Sequence, residues 1–375
     1  MKYSFIIPTY NNKVLLKNTL ESFNYQNGKR QDYQVIVVDD GSSDGTYEYI
    51  KGINREYDLK YLFLERCADS CRARTRNYGW RNAQGEIIVF IDSDIIINRD
   101  YLTELDRCFS LSRDIMVIGN RLMLNEEVSF FDISSGEIFN KYRFDRSNYD
   151  LLEFRHFLYE TTSYNSNAII CPWMQVYSCN LAIPKQWLEM VGGFDENFKF
   201  WGLEDLELGY RLYERKLQLV INYQLEVLHQ YHGPRMDLVI QPDKVAGYEF
   251  NIDYFLNKHP EALRLPRKYA HKFFKGEMSS DKMLMDIGLE KKLLEFREKS
   301  DLQGFKERLM DQLSQDKIRT IVVDYVEDTD LDLWVQLLGV TTMNIVRYHP
   351  ASRRIDVKRM MKYLKVEKER QIKLA

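Results

Sequence analysis

The feature that most constrains this chain is an alternation in its first hundred residues. Four apolar runs, Tyr3 to Ile7, Gln34 to Val38, Tyr61 to Leu64 and Glu86 to Ile91, are separated by helical spacing at Val14 to Tyr25, Thr46 to Ile53 and Ala73 to Asn82. Short continuous apolar runs suit strands buried on both faces. Strands joined through helices cross over, so the sheet they build is mainly parallel. The polar clusters PTYNN, DDGSSDGT and DSD follow these runs, which places them at the carboxyl ends of the strands. Sheets of this kind bind ligands there. The expected class is α/β, a mainly parallel sheet flanked by helices.

A length of 375 residues suits two domains, or one large domain with an appendage. The pattern divides at about Pro266. Residues 1–265 carry the strand–helix alternation, as a half of about 1–115 and a less regular half of about 116–265. Residues 266–375 form a mainly helical appendage: Arg267 to Gln315 is charged with apolar positions at helical spacing, and Ile318 to Asp324 (IRTIVVD) is one more strand. A net charge of −3 excludes a general nucleic-acid binder. No apolar run is long enough to span a bilayer, and MKYSFIIPTYNN reaches a polar turn too soon for a signal peptide. Five cysteines without metal spacing fit reduced thiols. A cytoplasmic protein is expected, peripheral at most to the inner face of a membrane.

Several clusters carry chemistry. Asp92-Ser93-Asp94 closes an apolar strand, and two carboxylates facing one space repel unless a cation lies between them. Such oxygen ligands suit Mn²⁺ or Mg²⁺ shared with phosphate oxygens. Asp39 and Asp40 open a turn whose carboxylates can accept from a base or a ribose. Arg72, Arg74 and Arg76 spread over more than one helix face, which leaves one to meet a phosphate. In the stretch FWGLEDLELGYRL, Glu204, Asp205 and Glu207 lie at a helix start, where the helix dipole alone would favour acids. Leu203, Leu206, Tyr210 and Tyr213 make its apolar stripe.

Each signal is weak singly, but the order is specific. PTYNN, DDGSSDGT, RARTRNYGWRNAQGE and IIVFIDSD resemble the nucleotide-sugar half of family 2 glycosyltransferases. The run YSCNLAIPKQWLEMVGGFDENFKFWGLEDLELGYRL resembles the acceptor half of the same GT-A fold, as in the chondroitin-polymerase and galactosyltransferase branch with its W-G-x-E-D motif. The resemblance covers about Tyr3 to Gly233. It implies a metal-dependent inverting transferase that uses a UDP-sugar. Pro8, Thr9 and Tyr10 would border the base, Asp39 would accept from uracil, and Arg76 would approach the diphosphate. Asp92, with Ser93 beside it, would touch ribose or metal, and Asp94 would hold the metal. His229 is the further metal ligand the resemblance favours, with His232 in reserve. Trp201 and Gly202 would line the sugar and acceptor pocket, Glu204 would bind a hydroxyl, and Asp205 matches the general base. Pocket shape near Trp173, Met174 and Trp201 would set the donor sugar.

The acceptor is open between a glycan, a lipid-linked sugar and a peptide. A nucleotidyltransferase also pairs a parallel sheet with acidic ligands, but PTYNN lacks the glycine and the basic residue of a phosphate loop. A non-catalytic binding subunit would not need Asp94, Asp205 and a histidine together. Ser352 to Ala375 is basic, with Val357, Met360, Met361 and Leu364 on one face. That face is short and has no Trp or Phe, which favours packing or homo-oligomer formation over an anionic membrane surface.

Overall fold

The computed structural model describes residues 1–27, 32–142, 151–153, 155–161, 164–169, 171–233, 242–263, 267–275, 293–296, 320–323 and 344–347. The chain divides into two compact units, residues 1–156 with 171–280, and residues 157–170 with 281–375.

The first unit is built on an eight-stranded sheet. β1 (Tyr3–Thr9), β2 (Tyr33–Asp39), β3 (Asp58–Phe63) and β4 (Ile87–Ile91) are mutually parallel, joined through α1 (Lys13–Ser22), α2 (Thr46–Gly52) and α3 (Arg72–Arg81). β5 (Ile95–Ile97), α4 (Tyr101–Leu111), β6 (Ile115–Met123), α5 (Phe130–Ser134) and α6 (Ile138–Lys141) follow, and then α7 (Arg155–Thr161), of which residues 157–161 are counted with the second unit. Then come β7 (Asn180–Pro184), α8 (Lys185–Val191), α9 (Glu204–Glu214), β8 (Gln218–His229), α10 (Pro242–Lys258) and α11 (Arg267–Phe274). The strand order is β3-β2-β1-β4-β7-β6-β8-β5, with β7 antiparallel to β4 and β6, and β5 antiparallel to β8. The fold is therefore α/β with a mixed, mainly parallel sheet.

The apolar runs explain the middle of this sheet. Phe5, Ile6 and Ile7 of β1, Val35 to Val38 of β2 and Ile87 to Ile91 of β4 are all buried. Branched residues on both faces need cover on both faces, which the crossover helices supply. β3 starts three residues before the apolar run that signals it, because it is a half-exposed edge strand with Asp58 and Lys60 in its first half. The region from 115 is more regular than its sequence suggests: β6 runs nine residues and pairs with both β7 and β8.

In the second unit the described elements include β9 (Leu293–Phe296), β10 (Thr320–Val323) and β11 (Asn344–Arg347), a parallel sheet in the order β11-β10-β9. β10 coincides with the IRTIVVD strand. The helical reading of Arg267 to Gln315 holds at α11 and fails at Leu293–Phe296. A short apolar run fits either period, and pairing with β10 decides it. Ser352 to Ala375 lies outside the described residues.

Candidate active site

The turns after β1 and β2 pin each other. Asn11, with φ of 47°, donates its N–H to Ser42 Oγ at 2.8 Å, and its Oδ1 accepts from Ser43 N at 2.8 Å. Asp44 accepts from Lys13 N at 2.8 Å and from Thr46 Oγ1 at 2.6 Å. Asn12 Nδ2 donates to Ser93 Oγ at 2.8 Å, which ties the first turn to the D-S-D cluster. The polar residues of PTYNN and DDGSSDGT are thus mutual caps, and they shape the rim of a cavity of about 450 Å³.

Pro8, Thr9, Tyr10, Arg76, Asp92, Ser93, Asp94 and Trp201 line that cavity. Asp39 does not line it: the carboxylate accepts from Ser42 N and from Tyr61 OH, both at 2.8 Å. Its neighbour Asp40 does line it, bonded to Arg66 at 2.5 Å and to Ser70 Oγ at 2.9 Å. Arg66 also stacks on the Tyr10 ring, 3.7 Å from the centroid. Arg66 was not legible as a site residue, since it is far from Tyr10 in sequence.

Arg76 is buried and bridges two acids. Its Nη2 donates to Asp92 Oδ1 and its Nη1 to Glu204 Oε1, both at 3.0 Å. This joins the end of β4 to the start of α9. Burial opposes ionisation of Asp92, yet the Arg76 charge and hydrogen bond hold its carboxyl below the usual range. Arg72 is an exposed cation on the same cavity, as are Arg66 and Lys199, and its charge also favours ionised Asp92.

Asp94 meets two histidines because of strand pairing. β5 follows the D-S-D turn at once and runs antiparallel to β8, with Ile95 opposite His229. Gln230 N donates to Asp94 O at 2.9 Å, and the Gln230 side chain bonds to Asn18 and to Leu15 O of α1. His229 Nε2 lies 3.5 Å and His232 Nε2 3.6 Å from Asp94 Oδ2. The three ligand atoms lie within 4.8 Å of one another. Asp94 Oδ1 is buried without a hydrogen-bond partner among the described residues. Burial raises the Asp94 carboxyl and lowers the His229 imidazole. The carboxylate suits Mn²⁺ or Mg²⁺, and the two imidazoles favour Mn²⁺ of the pair, so these residues fit the expected metal.

The FWGLEDLELGYRL stretch answers to several masters. Gly202 and Leu203 both have positive φ, 95° and 70°, so the chain bends sharply before α9. Glu204 is buried, with Oε2 unpartnered among the described residues. Asp205 Oδ2 accepts from Ser178 N at 3.2 Å and from Ser178 Oγ at 3.4 Å. Burial, reinforced by the Glu204 charge, pushes the Asp205 carboxyl up to about 6. Glu207 is fully buried and structural: Arg211 Nε at 2.9 Å, Lys258 Nζ at 2.7 Å and His259 Nε2 at 3.0 Å surround it. Lys258 also reaches Asp195 of the GGFDE turn at 2.6 Å. Leu208 and Leu212 are buried more completely than Leu206, while Tyr210 and Tyr213 stay half-buried, so the inward face is turned from the expected stripe. Trp173 is core, stacked on Phe255 at 5.6 Å and edge-on to Tyr210 at 5.2 Å, and it does not line the cavity.

Residues 4–182 match the model for "Glycosyl transferase family 2", and residues 161–232 that for "N-terminal domain of galactosyltransferase". Residues 4–182 form a glycosyl transferase family 2 segment. The two matches overlap at residues 161–182 and follow one another in the order that the motifs imply. Among relatives of this chain, the validoxylamine A glucosyltransferase of Streptomyces hygroscopicus subsp. jinggangensis is 27% identical over 265 residues, 69% of this chain and 61% of that protein. The chondroitin synthase of Pasteurella multocida is 29% identical over 287 residues, 72% of this chain and 28% of that one. The chain thus spans about six-tenths or less of these relatives' lengths. The structure of Staphylococcus aureus TarS 1-349 superposes with a TM-score of 0.50 and 16% identity, covering 72% of this chain and 68% of that one. No helix among the described residues is long and apolar enough to cross a membrane.

Proposed function

We propose that this chain moves a sugar from a UDP-sugar to an acceptor hydroxyl, with inversion at the anomeric carbon. The observation that supports it best is the convergence of His229 and His232 on Asp94, which lines a cavity whose wall leads, through Asp92 and Arg76, to Glu204, the residue before Asp205. The donor's base fits between the β1 and β2 turns, beside Tyr10 and Asp40, and the expected contact with the buried Asp39 is not kept. Arg72 and Arg76 face the diphosphate region, Arg72 as the exposed charge and Arg76 as the strut beneath it. Trp201 offers a ring face to the sugar, and the unpartnered Glu204 oxygen can accept from a hydroxyl.

Asp205 takes the acceptor's proton on its carboxylate as the acceptor oxygen forms a bond to C1. The bond from C1 to the UDP oxygen breaks on the opposite face, so the configuration inverts. A carboxyl near 6 is mostly ionised at neutral pH, yet basic enough to share a proton in flight. Ser178 fixes its orientation. A divalent cation held by Asp94 and His229, with His232 beside them, would neutralise the charge that grows on the departing diphosphate. Mn²⁺ suits this donor set better than Mg²⁺ because two of the donors are imidazoles.

The domain division offered for the function assigns residues 1–265 to transfer and leaves 266–375 to another role, such as self-association or contact with an acceptor or membrane. We read the acceptor class as a glycan, because a chondroitin synthase stands among the relatives. UDP-sugar hydrolysis with and without Mn²⁺ tests the whole reading. UDP release that needs Mn²⁺ and disappears in EDTA is expected. A chain that releases no UDP from any common UDP-sugar would refute it.

A further inference from the structure

The bend Phe200-Trp201-Gly202-Leu203 carries the proposed sugar platform, and near it in sequence Glu207 N donates to Leu203 O at 2.9 Å, which leaves the Phe200 and Gly202 carbonyls to more distant partners. The support comes from α10, which lies beyond the residues that either family description matches. Asn251 is fully buried. Its Nδ2 donates to Gly202 O at 2.7 Å and to Phe200 O at 3.0 Å, the two carbonyls that flank Trp201. Its Oδ1 is buried with no partner among the described residues. A buried amide that leaves its oxygen unmatched forgoes a hydrogen bond, so its place is explained by what its nitrogen does.

The rest of α10 shapes the same bend. The Tyr248 ring packs on Trp201 with centroids 5.7 Å apart, and its hydroxyl donates to Phe274 O at 3.1 Å. A Cβ on Gly202 would fall 2.8 Å from that ring, and φ of 95° already excludes most other residues. A Cβ on Gly247 would come 2.7 Å from the Phe200 ring. The bend is therefore pressed against α10 at both of its glycine contacts and tied there by one side chain.

We infer that Asn251, supported by Tyr248, is a positioning residue: it holds Trp201 and the strained bend so that the donor sugar and Asp205 meet in register. The inference rests on the proposed transfer. Asn251 touches no reacting atom, so its loss acts on turnover and leaves nucleotide binding alone. Misplacing such groups by about 1 Å can lower a rate on the order of a hundredfold.

The test uses the full chain with Mn²⁺ and, in turn, UDP-glucose, UDP-galactose, UDP-N-acetylglucosamine, UDP-N-acetylgalactosamine and UDP-glucuronate. For Asn251→Ala, the kcat of UDP release should fall at least about tenfold, while UDP itself binds within about twofold of wild type. Gly202→Ala should show the same split, and the double variant should be little worse than the poorer single one, because both act on one bend. Wild-type kcat in Asn251→Ala overturns the inference. So does a parallel loss of kcat, UDP affinity and cooperative melting, which would mark Asn251 as a general structural residue. If Asn251→Ala does not fold, Gly202→Ala decides: the kcat split supports the inference, and wild-type kcat overturns it. Failure of the wild-type chain to release UDP is a different result, and it counts against the transferase reading itself.

Discussion

The two sides of the cavity are held by different means. On the β1–β2 side, Asn11 bonds Ser42 and Ser43 across the two turns, Asp44 caps Lys13 and Thr46, and Asn11 itself lines the cavity. On the α9 side, the bend that carries Trp201 is held by α10. That helix supplies Asn251 and Tyr248 to the bend, and Lys258, Tyr254 and His259 to Asp195 and Glu207. A turn of Asn, Ser and Asp can satisfy its own backbone. A bend of Phe, Trp, Gly and Leu has no short polar side chain and must be satisfied from outside. The first side can be specified by a motif. The second depends on a helix with no motif, so substitutions on the two sides should fail differently.

The largest expected effect is at Asp205. Asp205→Asn should lower transfer on the order of 10²- to 10⁴-fold while UDP affinity stays near wild type. Wild-type turnover would place the base elsewhere. The same variant checks the raised carboxyl. A folded value near 6 against an unfolded value near 3.8 means that Asp205 favours the folded state below about pH 4 and loses that contribution as pH rises through 6. Removing the charge should therefore raise stability at neutral pH, by at most about 3 kcal/mol. Unchanged melting at pH 7.5 would show an ordinary carboxyl. Turnover by the native chain should fall as pH drops through about 6, where the base gains its proton.

Next in size is the α10 clamp. Burial opposes the Glu207 charge, but hydrogen bonds from His259 and Arg211, with Lys258, hold its carboxyl at about 2. Glu207→Ala leaves Arg211 and Lys258 around an empty site and should destabilise the chain by about 3–5 kcal/mol. A depressed carboxyl stabilises above its unfolded value and loses the effect as pH falls through its folded one. The clamp should therefore persist at pH 5 and weaken between about pH 4 and 2. Melting that starts to fall by pH 6 would contradict it.

A smaller effect belongs to the other side. Arg66 stacks on Tyr10 and bonds Asp40, but its guanidinium is partly in solvent. Arg66→Ala should weaken UDP binding about two- to fivefold through a less ordered Tyr10, with kcat unchanged. A fall in kcat with intact UDP affinity would reverse the division between the two sides.

These differences track what was legible. β1, β2 and β4 follow from their apolar runs, and the cavity rim follows from the clusters at their ends. Asp94 and the histidines follow from the motif order, though their meeting depends on β5 turning back along β8, a three-residue strand too short to give a period. Arg76 was legible as a site residue and not as a strut between Asp92 and Glu204, because a sequence does not show which charge an arginine meets first. Asp39 was legible as a strand-end acid, but its hydrogen bonds to Ser42 and Tyr61 depend on how the turn and β3 fold around it. Glu207 looks like a first-turn acid, and only packing shows it sealed under α10. Trp173 looks like a pocket aromatic and is core, since hydrophobic content does not say which side of a wall a ring faces.

The finest distinction separates two histidines that look alike in sequence. His229 ends β8, opposite Ile95, and the neighbouring Gln230 is tied to α1 by its side chain. Its side chain is 17% exposed, whereas that of His232 is 54% exposed and stands past the end of the strand. Both imidazoles approach the same Asp94 oxygen at nearly the same distance, so distance does not rank them. Order does. A ligand already fixed by its strand gives up little freedom on coordination, while an exposed side chain must be immobilised as it binds. His229→Ala should raise the Mn²⁺ concentration for half-maximal UDP release by about tenfold or more, and His232→Ala by less than about tenfold. A Mn²⁺ titration of both variants beside wild type measures this. If His232→Ala has the larger shift, the rigid strand position is not what selects the ligand, and the segment after β8 takes on a share of the donor site.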